Sequence, residues 1–234
     1  MIELRKLRKV YRLNGVSNVI ANDISFTFPS GQSVALIGRN GAGKSTMLQM
    51  IAGTIQPTSG EIIRHGSVSF PVGFAGSFHP DMTGVQNVKF VARIYGRDTD
   101  ETVEFTREFS ELGEHFYLPV RSYSSGMKSR LAFAMSMAMQ FDTYLIDEIT
   151  AVGDVGFRAR SEAMLRERLK ESGAIFVSHS TDQMKLLCQS GVVLQNGNFY
   201  YYAEIGKALE HYTFTVRGQF PPWLRRKRPQ PPQG

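Results

Sequence analysis

Ser33-Val-Ala-Leu-Ile37, followed at once by Gly38-Arg-Asn-Gly-Ala-Gly-Lys-Ser-Thr46, is the stretch on which the fold turns. The first five residues are apolar enough for a strand buried on both faces. The next nine satisfy G-x-x-x-x-G-K-[ST], and Lys44 to Ile51 reads as a helix. Strand, glycine loop and helix together make a phosphate cradle. Glycines let the backbone wrap closely around oxygens, so successive N–H groups point inward. The helix N-terminus adds its positive dipole end. Gly38, Arg39, Asn40, Gly41, Ala42, Gly43, Lys44, Ser45 and Thr46 are therefore candidate nucleotide contacts. Lys44 is placed to reach the β- and γ-phosphates, and the Ser45 hydroxyl to ligate magnesium.

Working outward, a second strand ends in acids. Tyr144-Leu-Ile-Asp147-Glu148 puts two carboxylates at the C-terminal end of an apolar run, where open α/β sheets bind ligands. Asp147 is a candidate second magnesium ligand and Glu148 a candidate base for an attacking water. Ser178-His179-Ser180 follows the strand Ala174 to Val177. His179 at that strand end is placed to contact a γ-phosphate and orient the water.

Other elements fill in the class. Asp23 to Phe28 alternates with Ile24, Phe26 and Phe28 on one face, and Gly60 to Phe70 reads as further strand. From Phe74 to Val120 the chain turns polar and helix-compatible, with Asp98 to Leu112 one helix. Ser129 to Met139 and Arg158 to Glu171 read as helices, and the apolar positions Leu131, Met135 and Ala138 as core. Val192 to Leu194 and Phe199 to Tyr202 form a hairpin, because Asn196-Gly197 favours the type I′ turn. Tyr201 is expected to face opposite Tyr200 and Tyr202. Strands alternating with helices imply an α/β fold with a mainly parallel core sheet, an N-terminal antiparallel β part and an inserted helical subdomain at about 74–128.

Composition excludes several classes. With 234 residues, 42% hydrophobic and 21% charged, the chain is long enough for a sizeable core and is not disordered throughout. No apolar run approaches a membrane span, and charges from Glu3 to Lys9 occupy the place of a secretory apolar region. The lone Cys188 can form neither an internal disulfide nor a cysteine metal cluster. The net charge of +6 sits almost wholly in the tail. Beyond His211 come Arg217, Arg225, Arg226, Lys227 and Arg228 with no acid, leaving the first 210 residues within about one charge of neutral. That balance argues against a nucleic-acid partner for the core. The Pro-rich basic tail, 213–234, reads either as a solvated segment or as a contact for an anionic membrane face with Trp223 at the interface. Pro221 and Pro222 argue against a packed element there.

Ser122-Tyr-Ser-Ser-Gly-Met-Lys-Ser-Arg-Leu131 lies just upstream of the acidic strand. It resembles the Leu-Ser-Gly-Gly-Gln signature of ATP-binding-cassette (ABC) ATPases, which are P-loop NTPases. The order of cradle, signature, acidic strand end and histidine is that superfamily's order. Ala151-Val-Gly-Asp154 is similar to its D-loop, and Tyr11 stands where an aromatic stacks on adenine. The resemblance covers about residues 1–212. It implies ATP and Mg2+ as cofactors and ATP hydrolysis as the activity. It also implies a head-to-tail dimer in which Ser124, Ser125, Gly126 and Asp154 act on a partner's nucleotide. The family's usual glutamine between sheet and helical subdomain has no counterpart among Phe70 to Phe78, which carry Gly73-Phe74-Ala75-Gly76-Ser77 instead.

Pro71 to Gly84, Tyr123 to Met127 and Asp147 to Asp154 further resemble the cassettes that export capsular polysaccharide from Gram-negative bacteria. That resemblance implies separate permease subunits, two of them, with periplasmic and outer-membrane partners reached through the permease. It places the chain on the cytoplasmic face of the inner membrane. Exporters of O-antigen or teichoic acid are the alternative. The O-antigen type often carries an extra glycan-binding domain, for which the residues after the core are too few. A soluble cassette ATPase acting on DNA or the ribosome is a third reading, disfavoured by the neutral core and the single cassette.

Overall fold

The computed structural model describes residues 1–13, 15–73, 78–147 and 154–225. The strands are β1 (Ile2–Leu13), β2 (Val16–Phe28), β3 (Ser33–Ile37), β4 (Ser59–Arg64), β5 (Val68–Val72), β6 (Thr143–Asp147), β7 (Gly173–Val177), β8 (Ser190–Gln195) and β9 (Asn198–Tyr202). The helices are α1 (Lys44–Ala52), α2 (Gly84–Ile94), α3 (Thr99–Ser110), α4 (Ser125–Ala138), α5 (Val155–Glu171), α6 (Thr181–Leu187), α7 (Ile205–Val216) and α8 (Pro222–Arg225). Two compact units result: residues 1–2, 29–32 and 64–175 form the first, and 3–28, 33–63 and 176–234 the second.

In the second unit, β1 is the central strand of a three-stranded sheet between β2 and β4. The alternation read in β2 holds at Ile24 and Phe28, both buried, with the Phe26 ring packed edge-on 4.9 Å from Phe28. It breaks one step earlier, where Ile20 and Ala21 are both buried. The break lies next to Asp23, whose left-handed φ of +52 interrupts the regular extended backbone. Beside it Lys6, at φ +46, donates its N–H to Ser25 Oγ at 3.0 Å.

The same unit holds the cradle strand. β3 pairs in parallel with β8, Val34 opposite Ser190 through Ile37 opposite Val193. Every residue of both strands is buried, which suits the apolar runs Val34 to Ile37 and Val192 to Leu194 at their centres. β8 turns back into antiparallel β9. Asn196 and Gly197 take φ +52 and +74, the two positive angles that a type I′ turn demands. Tyr200 and Tyr202 both meet the His211 ring, whereas Tyr201 meets Phe26, as the alternation requires.

The first unit pairs β5 with β6 in parallel, Pro71 opposite Leu145 and Val72 opposite Ile146. Its helices are capped in sequence. The Thr83 side chain accepts from Gln86 N–H while Gln86 reaches back to Thr83 N–H, a full capping box for α2. Asp98 caps α3, Ser124 caps α4 and Asp154 caps α5. Between α3, α4 and α5 the rings of Phe109, Phe133 and Phe157 pack against one another at 5.7–6.3 Å. Leu131 and Met135 are wholly buried, as their spacing implies. β7 carries the chain from the first unit into the second.

Three local readings change. Gly60 to Phe70 is two strands, because Gly66 takes φ +94 and a turn intervenes. α4 begins at Ser125, four residues before the expected Ser129: its serines and glycine form a capped first turn and not a loop. The tail is packed as far as α8. The Trp223 ring lies edge-on 5.8 Å from Phe214, and its Nε1–H donates to Tyr202 Oη at 3.4 Å. Proline at the first helical position suits the fixed φ of a helix start.

Candidate active site

The cradle owes its shape to glycine. Gly43 caps α1 at φ +101, and a Cβ there would lie 2.3 Å from Ile20 Cγ2. A Cβ on Gly38 would lie 2.8 Å from the Leu194 carbonyl oxygen. Both positions exclude a side chain, one by backbone angle and one by close approach. No side chain caps α1, whereas α2 to α6 each receive one through Thr83, Asp98, Ser124, Asp154 and Ser180. α7 also lacks a side-chain cap, so it is the glycine loop before α1 that marks its first N–H groups for a ligand, and the dipole there favours an anion.

Lys44 Nζ donates to the carbonyls of Gly38 and Arg39 at 2.8 and 3.1 Å. These bonds hold the ammonium against the loop's own backbone, beside the donors of α1. Ser45 is exposed on the first helical turn, with Thr46 next to it. Arg39 to Ala42 line a recess of about 390 Å3 together with the Asn196–Gly197 turn. Tyr11, 41% exposed, carries the Lys9 ammonium 4.8 Å from its ring centre. A ring so exposed can stack on a base.

His179 is exposed beyond the end of β7. The turn that carries it is fixed on both sides. Ser180 N–H donates to Ser178 Oγ at 3.0 Å, and Ser178 Oγ donates to Gln183 Oε1 at 3.0 Å. Gln183 gave no signal in the sequence, since nothing in its spacing points back to the strand end.

In the first unit, Asp147 is half-buried at the last position of β6. Glu148, Ala151, Val152 and Gly153 lie outside the described residues, as do Phe74 to Ser77 where the family glutamine was sought, and Arg226 to Arg228 in the tail. Hydroxyl and carboxylate oxygens such as those of Ser45 and Asp147 are the hard donors magnesium takes, usually with phosphates and waters completing the set. Among the described residues no group of three or more His, Cys, Asp or Glu forms a metal site by itself. That donor chemistry fits magnesium brought with a nucleotide.

The signature segment is held from behind. Tyr123 is buried and its hydroxyl donates to the His115 carbonyl at 2.6 Å. Gly84 has no Cβ because one would meet Tyr123 Oη at 2.6 Å. Ser124 Oγ accepts from Met127 N–H at 3.2 Å. Ser125 and Gly126 are exposed on the first turn of α4, where N–H groups lack helical acceptors. An apolar residue at the Met127 place leaves this donor set intact, since the donors are backbone and serine.

Asp154 is engaged within its own chain. Its Oδ1 accepts from Phe157 N–H at 2.9 Å, and its Oδ2 accepts from Arg130 at 2.5 Å. The α5 amide and the Arg130 guanidinium hold its carboxyl below the usual range. Arg130 was not singled out by the sequence motif, although its place in α4 is fixed by it.

A cradle left uncapped for an anion and an exposed serine-glycine helix start are features of one class of ATPase. The family model described as ABC transporter matches residues 21–151, and the chain belongs to this family. It binds ATP and hydrolyses it. The relatives narrow the group. The chain is 46% identical over 215 residues to the polysialic acid transport ATP-binding protein KpsT of Escherichia coli, covering 91% of this chain and 96% of that one. It is 45% identical to the capsule polysaccharide export ATP-binding protein CtrD of Neisseria meningitidis, covering 91% and 98%. A dimeric ATP-binding cassette in a post-hydrolysis state with ADP and Pi shares the fold at TM-score 0.75 and 19% identity, covering 88% of this chain and 99% of that one. No described helix is long and apolar enough to cross a membrane.

Proposed function

We propose that this chain is the ATP-hydrolysing subunit of an exporter that moves a capsular polysaccharide across the inner membrane. The observation that supports this reading is the identity to the capsule-export relatives, 46% and 45% over 91% of this chain. The O-antigen export protein RfbB of Klebsiella pneumoniae is less similar, 41% identical over 84% of this chain.

In the proposed cycle, the backbone of Gly38 to Thr46 wraps the phosphates, Lys44 neutralises the β- and γ-oxygens, and Tyr11 stacks on adenine. Ser45 and Asp147 offer oxygens to magnesium, which when bound spreads the charge that develops on the phosphates. Glu148 polarises the attacking water and His179 orients it against the γ-phosphate. Ser124, Ser125 and Gly126 of a second copy close over the same nucleotide, with Asp154 in the adjoining D-loop. Binding favours the closed dimer and cleavage removes the bonds that hold it, so the interface is a two-state switch.

The channel belongs to separate permease subunits, two in number, with the chain at their cytoplasmic side. Phe90 and Ile94, 54% and 63% exposed, fall one helical turn apart on α2 and give an apolar face for such a partner. In the organism that makes the chain, deleting it should abolish surface capsule and leave polymer inside the cell. Wild-type chain should restore export and Glu148→Gln should not. Full capsule in the deletion strain would refute the reading.

A further inference from the structure

Arg130 lies at the junction of three helices. It sits four residues after Gly126 on α4, and therefore one turn below it on the same face. Its side chain is only 17% exposed although it carries a full charge. One guanidinium nitrogen bonds Asp154 Oδ2 at 2.5 Å and another bonds Glu111 Oε2 at 3.4 Å. The guanidinium carbon stands 4.7 Å from the centre of the buried Phe157 ring. Arg160, from α5, completes the circuit by pairing with Glu111, and lies 5.9 Å from the same ring.

Each partner stands at a helix end. Glu111 is the C-cap of α3, at φ +52. Asp154 is the N-cap of α5 and uses its other oxygen for that cap. One planar cation thus ties the start of α4 to the residue at which the chain re-enters helix after Asp147 and Glu148. Lysine cannot do this, because it has neither the fork that reaches two carboxylates nor the plane that lies on a ring.

We propose that Arg130 is a positioning residue, which makes the phosphate-facing start of α4 and the N-terminal end of α5 at Asp154 move as one body. When Ser125 and Gly126 engage a partner's nucleotide, the displacement of α4 passes through Arg130 to Asp154. The inference rests on the reading of Ser124 to Gly126 as the segment that meets a partner's nucleotide. Exposed ion pairs contribute little to stability, and Asp154 is 67% exposed. The effect should therefore appear in turnover and not in folding.

The test uses the full chain reconstituted with its permease. Arg130→Gln and Arg130→Lys should each lower kcat about tenfold, with ATP affinity of the isolated chain changed less than twofold. Asp154→Asn keeps the cap, since asparagine caps as well as aspartate, and loses the charge partner of Arg130 at a residue that also adjoins the partner's nucleotide. It should lower kcat by a similar factor, and combination with the Arg130 substitutions separates the pair from that second role. Because the residues act as a unit, the double variant should be no slower than the slower single variant. Losses that multiply, a kcat within twofold of wild type, or a fall in ATP affinity matching the fall in kcat would each overturn the proposal. A Glu148→Gln chain that stays monomeric with ATP would remove the reading beneath it. Association of that chain with an unchanged kcat in the Arg130 variants would remove this inference alone.

Discussion

At the residue scale, the cradle shows how one position can be constrained twice. Gly43 must adopt φ +101 and must also leave room for Ile20. Gly43→Ala should therefore disrupt the loop itself, whereas Lys44→Ala strains no backbone angle and removes the ammonium with its bonds to the Gly38 and Arg39 carbonyls. Truncating one partner of a desolvated charge pair costs about 2–5 kcal/mol, so Lys44→Ala should weaken ATP binding roughly thirtyfold or more. Titration calorimetry with ATP and magnesium measures this, and unchanged affinity would contradict the role given to Lys44. The sequence disclosed Lys44 and Gly43 because their chemistry is local: spacing along the chain is spacing in space. It did not disclose Arg130 or Asn87, whose partners lie on other turns and other elements.

Asn87 shows the same divide at the level of elements. It is 2% exposed, accepts from His79 N–H at 2.8 Å, and donates to the carbonyls of His79, Met82 and Thr83 at 3.0–3.2 Å. One amide thus shapes the whole loop before α2, yet the letters around it read only as a helix start. Asn87→Ala strips partners from several buried backbone groups and should cost about 3 kcal/mol. The drop in unfolding midpoint of the variant checks it.

Helix α7 is held by another polar chain that composition conceals. Tyr202 Oη meets His211 Nδ1 at 2.9 Å, and His211 Nε2 meets Gln195 Oε1 at 2.9 Å. Because Oε1 can only accept, Nε2 carries the proton and the tyrosine hydroxyl donates to Nδ1. Gln195 Nε2 in turn donates to the Gln219 carbonyl at 3.1 Å. Burial pushes the imidazole pKa down to about 4 from 6.5. The unfolded chain therefore binds this proton more readily than the folded one. Its contribution to stability is complete above pH 6.5 and is lost as pH falls toward 4, up to about 3 kcal/mol. Urea midpoints from pH 7 to 4.5 should fall more steeply for wild type than for His211→Gln, and parallel curves would refute the assignment. Periodicity predicts which residues are buried. It does not say that a buried histidine stays neutral and pins a helix.

For the whole molecule, the count of motifs is the argument. Each chain has one cradle and one signature, and in the proposed assembly each nucleotide needs a cradle from one copy and a signature from the other. A symmetric pair then closes two sites at once, as a self-complementary interface must. Glu148→Gln should bind ATP without cleaving it and accumulate as a dimer, which light scattering reads as a doubling of the 26.2 kDa mass. In that assembly a carboxylate placed at Ser125 would face the γ-phosphate of the partner's ATP, where like charges repel. Glu148→Gln with Ser125→Glu should therefore bind ATP as tightly as the isolated parent chain and remain monomeric. Loss of binding together with loss of the dimer would place Ser125 at its own chain's nucleotide. A dimer that survives the substitution would mean that the signature does not carry the contact.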